Sequence, residues 1–191
     1  MATGSTVHTI KVSLRYLKPP IWRRLQVPSD STLAELHYVI QDAMGWEDAH
    51  LHQFEVDGTS FADPVHLLDD TMDESRSRLI RLQPGDRFVY WYDFGDDWYH
   101  DIEVESVDPA DPTLTYPRCV AGRRACPPED CGGPGGFDEL VRALKDKSHP
   151  EHEQYRDWLQ EIGEAGYDPA HLDLDKINKR LAHHAVPAPQ R

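Results

Sequence analysis

A chain of 191 residues, 39% hydrophobic with five Trp and eight Tyr, can fill one medium-sized core, and no run reaches the ~18 apolar residues a membrane helix needs. Its 34 Asp and Glu outweigh 20 Lys and Arg, a formal charge of -14, and no cationic side chain falls from Leu25 to Ser75 or between Arg87 and Arg118. Such a surface repels a phosphate backbone, which argues against a nucleic-acid partner.

The opening Met1-Ala2-Thr3-Gly4-Ser5 has neither the basic nor the apolar stretch of a signal peptide, so the cytoplasm is the expected compartment. Ile10, Val12 and Leu14 alternate with Lys11, Ser13 and Arg15, a half-buried strand pattern. Lys18-Pro19-Pro20 breaks it, and Ile21, Arg23, Leu25 and Val27 begin a second, imperfect alternation, giving a hairpin. Thr32-Leu33-Ala34-Glu35 has capping-box spacing, and Leu33, Leu36, His37, Ile40 and Met44 follow at helical spacing up to Gly45. His50, His52, Phe54 and Val56 share one face of a candidate strand closed by Asp57-Gly58. Hairpin, capped helix and strand predict a β-grasp-like β-β-α-β unit. Residues 64–77 read as an acidic loop.

Arg87 to Val107 reads as a long aromatic hairpin. Phe88-Val89-Tyr90-Trp91-Tyr92 forms one arm, Asp93-Phe94-Gly95-Asp96-Asp97 the turn, and Trp98, His100, Ile102 and Val104 the buried face of the other. Residues 108–136 form a loop rich in Pro, Gly and Cys. Three C-terminal helices follow, carried by Phe137, Leu140 and Leu144, by Tyr155, Trp158 and Leu159, and by Leu174, Ile177 and Leu181 behind an Asp173 cap. The expected fold is α+β, one domain over residues 6–184, with 185–191 as a flexible tail.

Several constellations could carry chemistry. Cys119, Cys126 and Cys131 are spaced more widely than a C-x-x-C knuckle, and a zinc site would need a fourth ligand such as His100. The structural alternative is three small buried side chains pinning the loop. In a reducing compartment a disulfide framework is not expected. His37 on the helix and His50 and His52 on the strand face the same layer, where imidazoles bind a metal, act as acid and base, or sit hydrogen-bonded at the core margin. Asp93, Asp96 and Asp97, next to Trp98, are carboxylates for a hard cation or residues of turn chemistry. Trp22, Trp46, Tyr90, Trp91, Tyr92 and Trp98 supply either core or a recognition surface.

The chain also resembles a known family. Lys18-Pro19-Pro20-Ile21-Trp22-Arg23-Arg24, Leu33-Ala34-Glu35-Leu36-His37, Met44-Gly45-Trp46 and His50-Leu51-His52 are similar to the Ri-plasmid ORF-3-like family. So are Tyr92-Asp93-Phe94-Gly95-Asp96-Asp97-Trp98, His100, the run Cys126 to Pro134, Ser148-His149-Pro150 and Tyr167-Asp168-Pro169, which span nearly the whole chain in order. The resemblance implies a bacterial protein linked to plasmids or mobile elements. Some members carry the label transposon resolvase, but no Ser-centred site with an Arg cluster and no basic DNA-binding helix is present here.

No Walker loop, dinucleotide fingerprint, nucleophile elbow or zinc-protease helix occurs. Acidity, aromatic content and the absence of catalytic motifs put a protein- or peptide-binding module first. The alternative is a metal-dependent hydrolytic enzyme, in which the histidines and hairpin aspartates hold the ion and Asp97 acts as base. The two separate on geometry. An enzyme requires His and carboxylate side chains to converge in a concave pocket; a binding module requires an exposed aromatic patch or an open sheet edge.

Overall fold

The computed structural model describes residues 5–66 and 68–187. Strands β1 (Thr6–Leu14) and β2 (Trp22–Pro28) pair antiparallel, with Ile10 opposite Leu25 and Val12 opposite Arg23. Their buried positions alternate as the sequence predicts, except that Arg23 shares the buried face with Leu25 and Val27. Helix α1 (Leu33–Met44) starts from a complete capping box: the Glu35 amide donates to Thr32 Oγ1 at 3.1 Å, and the Thr32 amide donates to the Glu35 carboxylate at 2.7 Å. Gly45 closes it at φ 92°, a left-handed conformation that costs glycine least.

Strand β3 (His52–Val56) turns at Asp57-Gly58, both at positive φ, into β4 (Thr59–Ala62), a hairpin the sequence reading left unassigned. The acidic segment that follows is not a plain loop. It holds two short 3-10 turns, Pro64–His66 and Glu74–Arg76, and β5 (Met72–Asp73), which runs parallel beside β4; a third turn, Leu79–Arg81, follows it. β6 (Arg87–Tyr92) and β7 (Trp98–Pro109) form the expected aromatic hairpin. The Pro- and Cys-rich stretch carries β8 (Thr115–Tyr116) and β9 (Arg118–Arg123), so it too is more structured than a loop. Helices α2 (Gly133–Lys145), α3 (His152–Glu161) and α4 (Leu174–Leu181) follow, the last capped by Asp173, whose carboxylate accepts from the Lys176 amide at 2.8 Å. Val186–Pro187, inside the expected tail, form β10 and pair with β8; residues 188–191 lie outside the described residues.

The fold is mixed α+β, with four α-helices and an 8-stranded sheet among the described residues, in the order β5-β4-β3-β6-β7-β1-β2-β9. This order departs from the β-grasp expectation. A β-grasp sets a parallel strand beside β1; here β7 takes that place, running antiparallel from Thr6 opposite Pro109 to Leu14 opposite His100, and β3 pairs with β6. The physical reason is length. A 12-residue strand with Trp98, His100, Ile102 and Val104 on its buried face matches all of β1, which five-residue β3 cannot.

One continuous apolar core joins the inner face of the sheet to α1 and to side chains of all three C-terminal helices. Trp46, Tyr90, Tyr92 and Trp98 lie within it, so four of the six flagged aromatics are core. The opposite face is polar and partly open, with Arg24 paired to Glu105 and Arg15 to Asp101. No helix among the described residues is long and apolar enough to cross a membrane.

Candidate metal centre

The buried face of β3 meets the inward stripe of α1 at two histidines. His37 leaves α1 on the same face as Leu36 and Ile40, and His52 begins β3, one residue pair before Phe54. Their rings stack 3.6 Å apart and 8° from parallel, and both are buried. Each faces a carboxylate: His37 Nε2 lies 2.8 Å from Asp48 Oδ1, and His52 Nε2 lies 2.9 Å from Glu74 Oε2. Ligand atoms of His37, Asp48 and His52 all fall within 4.8 Å of one another. These groups line one wall of an open cleft of about 670 Å³, shared with Tyr38, His50, Asp63 and His66.

Protons can be assigned from the network. The Gln41 amide donates to the Tyr90 hydroxyl oxygen at 2.9 Å, and the hydroxyl in turn sits 2.7 Å from His37 Nδ1. Tyr90 therefore donates to Nδ1, and the neutral His37 ring presents its Nε2–H to Asp48. Burial, reinforced by the neighbouring His52 and His66, pushes the His37 pKa down to about 2, so the ring stays neutral at working pH. Burial also raises Asp48. His52 Nδ1 is a buried nitrogen with no hydrogen-bond partner among the described residues, an unusual cost for a native interior.

The structure treats the other sequence candidates differently. His50 precedes β3 rather than sitting on it, and its Nε2 points to a second group, 3.0 Å from Asp130 Oδ1 and 3.6 Å from Asp93 Oδ2. His50 and His52 thus do not present one shared strand face. The aspartates of the hairpin tip do not converge on the stacked histidines. Asp93 Oδ1 accepts from the Gly95 and Asp96 amides, Asp96 accepts from the Gly132 amide, and Asp97 accepts from the Trp91 indole. Trp98 packs in the core, 5.8 Å from Trp46.

Nor do Cys119, Cys126, Cys131 and His100 gather as ligands: among the described residues no cysteine joins a group of three ligand atoms within 4.8 Å. Cys119 faces the Ala121 carbonyl from β9, Cys126 lies between Arg23 and Met44, and Cys131 starts the approach to α2. Burial raises all three thiols, Cys131 to about 12, which disfavours the thiolate that zinc binds. His100 is fully buried, its Nδ1 directed at the Tyr90 and Trp98 carbonyls.

Sequence reasoning missed Asp48, Glu74 and His66. Asp48 lies just beyond the α1 terminator at φ 54°, where aspartate is one of the few side chains tolerated. Glu74 lies in an acidic run where one buried carboxylate looks like its exposed neighbours. The only local hint is Asp73, whose carboxylate accepts from the Ser75 amide and starts a 3-10 turn there.

Fold and site together define a mixed α+β protein with an acidic cleft walled by two stacked histidines. The chain belongs to the plasmid pRiA4b ORF-3-like family, whose model matches residues 6–176. It is 36% identical over 181 residues to the uncharacterized protein y4hQ of Sinorhizobium fredii, a match covering 93% of this chain and 91% of that protein. Among solved structures it is similar to the protein of unknown function MM3350 from Methanosarcina mazei Go1, at 35% identity and a TM-score of 0.82, covering 91% of this chain and 98% of that one.

Proposed function

We propose that the His37–His52 cleft is the divalent-cation centre of a metal-dependent hydrolytic enzyme, with His37, Asp48 and His52 as protein ligands. The observation that carries this reading is the grouping of His37, Asp48 and His52 ligand atoms within 4.8 Å of one another, with His52 Nδ1 buried and without a hydrogen-bond partner among the described residues, beside an open cleft. Two His and one carboxylate with positions left open is a donor set used for catalytic zinc and non-haem iron. Were His37 Nε2 to hold a cation, the ring proton would sit on Nδ1 and the Tyr90 oxygen, its own proton turned away, would accept it, the kind of outer-shell contact that orients such ligands. Bound there, the ion would supply Lewis acidity and a more acidic water. Glu74, buried and 2.9 Å from His52, is the carboxylate positioned to take a proton in the cleft. It replaces Asp97, which is occupied with Trp91 at the hairpin tip.

The test is titration of the untagged protein with Zn2+ and Mn2+, followed by a screen of phosphoester, carboxyl-ester and amide substrates. We expect saturable binding that His37→Ala and His52→Ala each abolish at this centre, and turnover that Glu74→Gln lowers at least ~100-fold, the scale of a lost general base. Binding left unchanged by both histidine variants would sink the proposal.

A second reading, a protein- or peptide-binding module, draws support from the open face of the sheet. Trp91 stacks on Tyr99 at 5.0 Å and packs tilted against Phe94 at 4.2 Å, the Arg15 guanidinium lies 5.6 Å over Tyr99, and Tyr16 is 73% exposed beside them. Selection of peptides from a display library, repeated with Tyr16→Ala and Trp91→Ala, tests it; equal recovery with all three proteins would count against it.

A further inference from the structure

His50 belongs to neither the core nor the stacked pair, yet its imidazole is the meeting point of three chain segments. Asp93 comes from the start of the hairpin turn, Asp130 from the Cys126–Cys131 loop, and His50 from the approach to β3. One ligand atom from each lies within 4.8 Å of the other two. His50 Nε2 is buried, and although 3.0 Å from Asp130 Oδ1 and 3.6 Å from Asp93 Oδ2, it makes a directed hydrogen bond to neither.

The carboxylates are equally unspent. Asp93 is 7% exposed, and both amides it accepts from use Oδ1, leaving Oδ2 with no hydrogen-bond partner among the described residues. Among the described residues neither Asp93 nor Asp130 is paired to a lysine or arginine. Two carboxylates held this close without a cationic side chain repel each other, and a lone imidazole nitrogen aimed between them completes a cation's donor set.

We infer that His50, Asp93 and Asp130 form a second divalent-cation site, of the manganese type, that staples the Cys-rich loop to the hairpin tip. One imidazole with two carboxylates suits Mn2+, a borderline-hard ion, and the three protein donors leave room for water. The loop is already anchored by the Trp46 indole donating to the Pro127 carbonyl at 2.9 Å and by Glu129 accepting from the Glu47 amide at 2.8 Å. A cation on Asp130 adds the link to the turn. This site does not depend on the reading of the stacked histidines.

The experiment is Mn2+ titration by calorimetry and by loss of the free-ion EPR signal, using the full chain in four forms: unaltered, His52→Ala, Asp130→Asn, and the two combined. Asn tolerates the φ of 57° at Asp130, and that side chain is 70% exposed, so the fold survives the change. We expect the Asp130→Asn form to bind one ion fewer than the unaltered chain, and the combined form one fewer than His52→Ala alone. Mn2+ should also raise the Tm of His52→Ala but not that of the combined form. If Asp130→Asn removes no ion in either background, the staple does not exist. If Asp130→Asn removes an ion while His52→Ala removes none, the staple stands and the hydrolytic centre falls.

Discussion

Arg23 illustrates how much one side chain can depend on distant partners. In sequence it interrupts an apolar alternation; in the structure it is 2% exposed and makes no ion pair with a carboxylate among the described residues. Its guanidinium donates to the carbonyls of Ala43 at 3.1 Å, Trp22 at 2.9 Å and Arg123 at 3.2 Å, and to Cys126 Sγ at 3.1 Å. A planar fork of five donors can serve all four acceptors, and lysine cannot. Arg23→Met should cost about 3 kcal/mol by orphaning buried carbonyls at ~1–3 kcal/mol each, less the apolar burial gained. Arg24→Met, on the half-exposed outer face against Glu105, should cost no more than about 1 kcal/mol. Urea denaturation of both variants checks the contrast, and equal costs would refute it. The thiols give a second residue-scale outcome. All three are buried with raised pKa, so alkylation at pH 8 should wait for unfolding.

Elements with local signals could be read directly. Helix α1 begins and ends where Thr32-x-x-Glu35 and Gly45 place it, because a cap needs only partners three or four residues away. Thr32→Ala should therefore lose about 1 kcal/mol, read as a shift in urea midpoint with unchanged slope. The start of α2 is different, because its glycines answer to contacts from elsewhere. A Cβ on Gly136 would lie 1.9 Å from the Cys131 carbonyl oxygen, and one on Gly133 2.3 Å from the Asp96 carbonyl oxygen. Gly136→Ala should displace the loop that carries Asp130 and cost at least about 1–3 kcal/mol, the range for overpacking. Gly135→Ala, where a Cβ meets nothing within 4 Å, is the matched control. β9 escaped notice because Arg118-Cys119-Val120-Ala121-Gly122-Arg123 has few branched side chains, and it becomes a strand by pairing with β2 and lying under α4.

For the whole molecule, the buried histidines set the response to acid. Burial lowers His37 to about 2 and His100 to about 4, against 6.5 in an unfolded chain. Below pH 6.5 the unfolded state takes up protons that the native state refuses, so stability falls with pH, for His100 down to about pH 4 and for His37 further still. The expected loss approaches about 1.4 kcal/mol per pH unit for each such histidine once pH is well below 6.5. Urea midpoints measured from pH 7.5 to 4.5 test this in metal-free protein, and a flat profile below pH 6 would contradict it. A cation at the stacked pair should steepen the fall, because metal binding requires deprotonated ligands and protons then compete with the ion.

Caps, turn residues and period-two or helical spacing report on partners a few residues apart. From them alone follow α1 with both ends, the β1–β2 and β6–β7 hairpins, the three C-terminal helices, the acidic surface, and the inward direction of His37 and His52. Which strand lies beside β1 is a competition among strands of similar pattern, decided by length and register over nearly a hundred residues of separation. It went to β7. That choice makes β3 a neighbour of β6, which puts Tyr90 under His37, while the chain beyond β4 delivers Glu74 to His52 across 22 residues. Carboxylates in an acidic chain carry no mark of burial in the sequence. Only the packing of the segments around Asp48, Glu74, Asp93 and Asp130 separates the few that face histidines from the many that face water.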